Sequence, residues 1–369
     1  MLEARASIAA MKAYVPGVLV PGKIKLASNE NPLGPSPLAM EAVRSALSTA
    51  QIYPDGSATG VREAIARHYG IGSARVIVGN GSDEILTLAT SSFINPGENV
   101  IIADHTFSEY AYSSRLFDAH VKVVALKDGF FDLEAIFAAI DAKTRMVFLC
   151  SPNNPTGTTI SRTELVNFLD KVPPTLLVVL DQAYAEYATE PGFPDPIDLI
   201  GSYPRLLVCR TFSKVYGLAG LRLGYGLANE DVISTMQKAR SAFSVNGLAQ
   251  VAGIAALQDR SFVKRSLEMN AVGKAFLETE LAHAEVPFYT TQANFICIET
   301  ARDAQAMYRS ILEGGITIRA LNSFGLPSCI RLTIGTEEQN RLFLQAFKTA
   351  LKLVPQSLEP YIKGAVLRA

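Results

Sequence analysis

Residues 210–224, RTFSKVYGLAGLRLG, set one lysine between a serine and a run rich in small residues, with an arginine eight positions on. A lysine that attacks a carbonyl must be neutral, so Lys214 would need desolvation or nearby cations to lower its pKa. Tyr216 and the apolar residues around it supply part of such a setting, and Arg222, always charged, suits a phosphate. Three other stretches carry comparable chemistry. In GNGSDE (79–84) two glycines permit unusual backbone angles, and the N–H groups of Ser82 and Asp83 would open a helix, an anion site by geometry and dipole. In SPNNPTG (151–157) prolines, asparagines and a glycine fix an irregular loop from which the Asn154 amide can donate to a ligand oxygen. In LDQAYAEY (180–187) Asp181 closes an apolar run, with Tyr184 just beyond. A buried carboxylate is costly without a cationic or protonated partner; a pyridinium N–H, a metal ion or a ribose would each serve. The histidines at 68, 105, 120 and 283 are dispersed and make no ligand cluster with the carboxylates, which argues against the metal.

These residues need a frame that brings them to one place. The runs RVIVG (75–79), NVIIA (99–103), VKVVAL (121–126), RMVFLC (145–150), TLLVVL (175–180) and RLLVC (205–209) are rich in Val, Ile and Leu and do not alternate. That pattern suits strands buried on both faces of a mostly parallel sheet. Helical spacing in 82–94 and 133–140 between the runs predicts a doubly wound α/β fold, whose ligands gather at the carboxyl ends of the strands. Beyond residue 229 a long helical stretch, 246–284, is expected to bend near Asp259. NFICIE (294–299), GITIR (315–319) and IRLTIG (330–335), followed by a helix around 337–353, predict a smaller α+β unit. The expected division is an N-terminal arm with part of the small domain (1–45), a large domain (46–264) and a small domain (265–369).

Composition narrows the function. The chain has 369 residues, 49% hydrophobic and 19% charged, with a net charge of −1 and no block of like charge, which argues against nucleic acid or an anionic membrane as the main partner. Cys150, Cys209, Cys297 and Cys329 are scattered without CxxC pairs and read as buried thiols in a reducing compartment. No segment approaches the roughly 18 apolar residues of a membrane helix, and the expected location is the cytoplasm.

An anion cradle, an amide-bearing rigid loop, a strand-end carboxylate and a lysine near an arginine, all following strands of one sheet, describe a receptacle for a phosphorylated, aldehyde-bearing pyridine. Pyridoxal phosphate has each of these features. A dinucleotide site is the poorer match, since GNGSDE breaks the G-x-G-x-x-G spacing. The sequence resembles the fold-type I pyridoxal-phosphate-dependent aminotransferases, class II subgroup, along essentially its whole length. The motifs are SNENPLGPSP (28–37), IYPDG (52–56), NGSDE, SPNNPTG, DQAYAEY, RTFSKVYGLAGLRLGY and IRLTIGT (330–336).

The resemblance implies that Lys214 bonds the cofactor and then shuttles a proton, while Asp181 holds the ring N–H. It implies that Asn154 and Tyr184 bond the ring oxygen, that Phe107 stacks on the ring, and that Ser82, Asp83, Thr211, Ser213 and Arg222 surround the phosphate. Tyr53 would reach that phosphate from a partner subunit, which implies a homodimer with shared active sites. Substrate recognition would fall to Arg331, with Arg319, Tyr14, Asn31 and Asn294 near the same end. The implied substrates are a small amino donor and a 2-oxo acid: within the subgroup the likeness is greatest to enzymes acting on histidinol phosphate with 2-oxoglutarate. Aromatic amino-acid transamination and threonine-phosphate decarboxylation are the alternatives. Gln182 stands where the family usually has Glu, Val215 where it has a small residue, and Phe107 where Tyr is commoner.

Overall fold

The computed structural model describes residues 2–11 and 20–362. Twelve strands form three sheets among these residues. Strand β1 (Ile24–Lys25) lies in the arm; β2 (Val76–Asn80), β3 (Asn99–Ala103), β4 (His120–Val124), β5 (Thr144–Cys150), β6 (Leu177–Asp181), β7 (Leu206–Thr211) and β8 (Leu223–Leu227) make the large sheet in the order β2-β8-β7-β6-β5-β3-β4. The pairings are parallel except the two made by β8, which runs against both neighbours. This is the α/β architecture expected, and the six apolar runs form six of its strands. β2, β3, β5, β6 and β7 are buried almost throughout, as strands covered by helices on both faces must be. The rim strand β4 is partly exposed and carries Lys122, a charge suited to an unpaired edge.

β8 is the strand that the apolar pattern does not announce. Its sequence, LGYGL, places glycines where strand formers are usual. A Cβ on Gly226 would lie 3.0 Å from side-chain carbons of Ile77, Ile85 and Leu207, so the bare position lets the helix Ser82–Phe93 pack closely onto the sheet. The chain therefore turns back after β7, and the return loop 212–222 carries Lys214 across the carboxyl edge of the sheet.

The smaller sheet is antiparallel, in the order β11-β12-β9, from β9 (Phe295–Glu299), β11 (Arg319–Ala320) and β12 (Cys329–Thr333). The segment expected as one strand at 315–319 splits: β10 (Ile316–Thr317) pairs in parallel with β1, while Arg319 begins β11. Helices Ala304–Glu313 and Glu337–Leu353 cover this sheet, burying Met307, Ile311, Phe343 and Phe347 against Ile296, Ile298 and Ile330. The long helical stretch breaks at Asp259 into Gly247–Gln258 and Arg260–His283. Asp259 Oδ1 accepts from the Phe262 N–H (3.2 Å), and Oδ2 accepts from Ser36 Oγ (2.7 Å). Ser36 in turn caps the helix Pro37–Ala46. One carboxylate thus sets the bend and anchors the arm. No helix of the described residues is long and apolar enough to cross a membrane.

Candidate active site at the carboxyl edge of the large sheet

Lys214 leaves β7 by way of Thr211, Phe212 and Ser213, each buried. Its Nζ donates to the Ser28 carbonyl at 3.2 Å and sits 5.4 Å from the centre of the Tyr184 ring. Burial, then the neighbouring charge of Arg331, lowers its pKa to about 8; Glu30 and Asp83 pull the other way. Tyr216 contributes less than the sequence suggests, because its ring turns into the core against Phe212. Val215 faces the same core with no exposure, and its carbonyl accepts from the Asn31 side chain at 2.8 Å. A β-branched residue fits there because the position is a packing site turned away from the cleft. Gly217 is required on two counts. Its φ is +69°, and a Cβ would lie 2.1 Å from the Gly34 carbonyl oxygen, where the arm crosses the loop.

Asp181 ends β6, flanked in register by Cys150 and Cys209 on the adjoining strands. It is 3% exposed, and burial pushes its pKa up to about 6. Tyr110 donates to Oδ2 at 2.7 Å and the Ala183 N–H to Oδ1 at 3.0 Å. It forms no ion pair among the described residues. Tyr110 is fully buried and stacked on Phe148 at 5.0 Å. It lies three positions past Phe107, whose partly buried ring meets it edge-on at 5.7 Å. Gln182 has a definite place: its Oε1 accepts from Arg210 at 2.9 and 3.2 Å, its Nε2 donates to the Pro194 carbonyl, and Arg210 also pairs with Glu186 at 3.2 Å. A neutral amide can accept from Arg210 and donate to Pro194 at once; a carboxylate could only accept.

The helix Ser82–Phe93 begins at Gly81 (φ +82°) without a side-chain cap. Asp83 pairs with Arg222 at 3.0 Å, and Arg222, itself at φ +56°, reaches the Ala219 carbonyl and lies 3.5 Å from Ser213 Oγ. Thr211 Oγ1 accepts from the Ser213 N–H. A Cβ on Gly81 would strike the Arg222 guanidinium at 2.3 Å, and one on Gly224 the Ser82 nitrogen at 2.2 Å. Bare backbone, a helix N-terminus and a fixed guanidinium therefore converge, an arrangement that accepts a phosphate.

Across the cleft, Asn154 Oδ1 accepts from Arg331 Nη1, and Arg331 Nη2 donates to the Ala27 carbonyl at 3.0 Å. The Arg331 guanidinium lies 5.4 Å from the Phe295 ring centre and 5.9 Å from that of Phe324. Arg319 is directly opposite Arg331 in the β11–β12 register, which puts both side chains on one face. The Tyr184 hydroxyl accepts from Asn29 Nδ2 at 3.0 Å, and burial pushes its pKa up to about 12. Asn294 donates to the Asn29 carbonyl at 3.0 Å. Asn31 is close by but engaged in holding the arm, donating to Val215 and Ser266 and accepting from Leu33. Tyr53 stands apart, 80% exposed and stacked on Phe243 at 4.8 Å. Tyr14 lies outside the described residues. Tyr110 and Asn29 belong to the site's support, and although Asn29 lies within the motif SNENPLGPSP, their hydrogen bonds span 71 and 155 positions, so no local pattern pairs them with Asp181 and Tyr184.

These groups fit the phosphorylated pyridine that the sequence led us to expect. An uncapped helix start beside a guanidinium suits the phosphate, and a buried carboxylate without an ion-pair partner suits a ring N–H. The chain belongs to the class I and II aminotransferases, whose family model matches residues 21–347. It is 41% identical to the histidinol-phosphate aminotransferase of Moorella thermoacetica, over 95% of this chain and 93% of that protein. It is 43% identical to the protein of the same name from a Geobacillus strain, over 89% of this chain and 90% of that one. Among solved structures, the histidinol-phosphate aminotransferase of Sinorhizobium meliloti in complex with pyridoxal-5'-phosphate superposes with a TM-score of 0.83. It is 25% identical and covers 94% of this chain and 97% of that one.

Proposed function

We propose that the chain transfers the amino group of histidinol phosphate to 2-oxoglutarate, giving imidazole acetol phosphate and glutamate, as a homodimer with pyridoxal phosphate as cofactor. The observation that carries the reading is Lys214, with its pKa lowered to about 8, at the same strand edge as Asp181 and the cradle of Ser82, Asp83 and Arg222. The shared name of relatives at 41 and 43% identity supports the substrate. Four buried free cysteines support a cytoplasmic setting.

Pyridoxal phosphate, when bound, supplies an aldehyde carbon for the amino group and a protonated ring that withdraws electrons from the breaking bond. The protein's residues do the rest. Ser82, Asp83, Thr211, Ser213 and Arg222 would hold the phosphate, with Tyr53 of the partner subunit. Asp181 would keep the ring N–H protonated, its own charge fixed in direction by Tyr110 and Ala183. Asn154 and Tyr184 would hold the ring oxygen and Phe107 the ring face. Lys214, with an amine that releases and regains a proton near neutral pH, would carry the proton between the two carbons of the transfer. Arg331 and Arg319 would receive the substrate's anion, which both half-reactions present, with Asn294 and Asn31 bracing that end. In this division residues 46–264 hold the cofactor, while 265–369 with the first 45 receive the substrate.

The test is turnover with histidinol phosphate, phenylalanine and threonine phosphate, followed by borohydride reduction and peptide mapping. Histidinol phosphate should exceed phenylalanine in kcat/KM by on the order of a hundredfold, and the reduced cofactor should be found on Lys214. Faster reaction with phenylalanine would overturn the substrate, and a different modified residue the role of Lys214.

A further inference from the structure

Both arginines of the small sheet touch one short turn. In the 3-10 turn Asn322–Phe324, the Phe324 ring lies over Arg331 at 5.9 Å, and Ser323 Oγ is 3.4 Å from Arg319 Nη2. Within the small domain the turn is seated by Phe324 against the buried cluster that includes Leu321 and Leu326, while its own hydrogen bonds are local. The N–H groups of Phe324 and Gly325 bond back only to Leu321 and Asn322, and Asn322, Ser323 and Gly325 are exposed. What ties it to the large sheet is a hydrogen bond from His105. This ring's Nδ1 is 2.6 Å from the Phe324 carbonyl oxygen, which can only accept, so Nδ1 carries the donated hydrogen.

The base on which His105 stands is rigid. Asp104 accepts from the N–H groups of His105 and Leu126, and the His105 carbonyl accepts from Asn153, which also accepts from Thr106. The ring is enclosed on its other sides. Tyr361 meets it edge-on at 5.0 Å, held there by its N–H bond to the buried Glu299. A Cβ on Gly325 would lie 3.0 Å from His105 Cε1, so only glycine (φ +78°) lets the turn approach this closely.

We propose that His105 is a positioning residue for the substrate's anion: by pinning the turn Asn322–Phe324 to the large sheet, it sets the orientation of Arg331 and Arg319. The inference rests on those two arginines receiving the substrate. It separates His105 from its neighbour Phe107, to which the proposed function gives the face of the cofactor ring, although the two share a loop.

The test uses the cofactor-loaded enzyme and the variants His105→Leu, His105→Asn and Phe324→Leu. His105→Leu removes the tie and should raise KM for both histidinol phosphate and 2-oxoglutarate by about fivefold to tenfold, the effect of one lost hydrogen bond and the disorder that follows. Values of kcat and cofactor affinity should stay within about twofold of the original. In His105→Asn the introduced amide nitrogen reaches roughly where Nδ1 stood, so this variant should recover most of the KM. Phe324→Leu keeps the carbonyl bond but strips the ring from Arg331, and should raise KM as His105→Leu does. Unchanged KM in His105→Leu, failure of His105→Asn to recover it, or loss of cofactor affinity in step with KM would each overturn the proposal. If the unmodified enzyme turns over neither substrate, the reading of function fails instead. Inorganic phosphate binding to the loaded protein then decides the role of His105, by weakening in His105→Leu and returning in His105→Asn, or by not doing so.

Discussion

At the edge of the large sheet burial disfavours the charge of two residues, raising the pKa of one and lowering that of the other. Asp181 has a folded pKa near 6 against 3.8 when unfolded, so between those values the native state binds more protons. The stability of the cofactor-free protein must therefore fall as pH rises through that window. Lys214 has a folded pKa near 8 against 10.5, so there the unfolded state binds more protons and stability must rise with pH. Each effect amounts to about 3 kcal/mol at most. Urea unfolding of the cofactor-free protein from pH 4 to 10.5 should show the fall and the recovery. Glu109, which burial raises to about 7, adds to the same fall, so Asp181→Asn should lessen the fall rather than remove it and stabilise the protein at pH 7 while weakening cofactor binding; Lys214→Met should lessen the recovery. A flat profile in the original protein would mean that neither group is strained. Both residues are readable in the sequence, Asp181 because a charge closing an apolar run is conspicuous and Lys214 because it sits between a serine and a run of small residues with Arg222 beyond. Their supports are not, because Tyr110 and Asn29 arrive from remote parts of the chain.

The elements matter through where they lack side chains. β8 meets the start of the helix Ser82–Phe93 at Gly224, where a Cβ would come within 2.5 Å of the Gly81 carbonyl carbon and closer to the Ser82 nitrogen, both backbone atoms. Backbone cannot rotate aside as a side chain can. Gly224→Ala should therefore push the strand from the helix, cost about 3 kcal/mol or more, and lower phosphate and cofactor affinity at least tenfold. Gly220→Ala is the control: it meets nothing within 4 Å and should leave melting temperature and cofactor affinity unchanged. Equal effects of the two substitutions would remove the claim that close approach builds the cradle. The same fact explains the limit of legibility at this scale. The parallel strands declare themselves because burial on both faces demands Val, Ile and Leu, whereas β8 is shaped by what packs on it and so reads as a glycine-rich loop. The break at Asp259 was legible because a capping aspartate lies between two helical periods. The splitting of 315–319 was not, since β10 and β11 differ only in which partner each finds.

For the whole molecule the question is whether one chain holds a complete site. Tyr53 is 80% exposed and reaches none of the phosphate-cradle residues, stacking instead on the half-exposed Phe243. Ile52, Leu47, Leu38 and Leu33 are also exposed nearby in the chain, more apolar surface than a segment turned to water usually keeps. Both facts are accounted for if a second copy covers this segment and Tyr53 serves the neighbour's phosphate. The two possibilities differ in a mixed population. Lys214→Ala is inactive through its own site, and Tyr53→Ala should bind cofactor about tenfold or more weakly through loss of one charge-assisted hydrogen bond. If Tyr53 acts across the interface, a hybrid of the two variants contains one wholly unaltered site, with Lys214 from one chain and Tyr53 from the other. Random pairing at equal amounts makes about half the dimers hybrid, so activity at limiting cofactor should return to roughly one quarter of the original. If Tyr53 acts within its own chain, each hybrid site has a defect and mixing restores nothing. The measurement requires unfolding and refolding the variants together, because subunits already paired would not exchange through a buried apolar interface on the time of an assay. Activity no higher than the mean of the separate variants would show that a single chain supplies its own site, and would leave the apolar segment without the partner assigned to it.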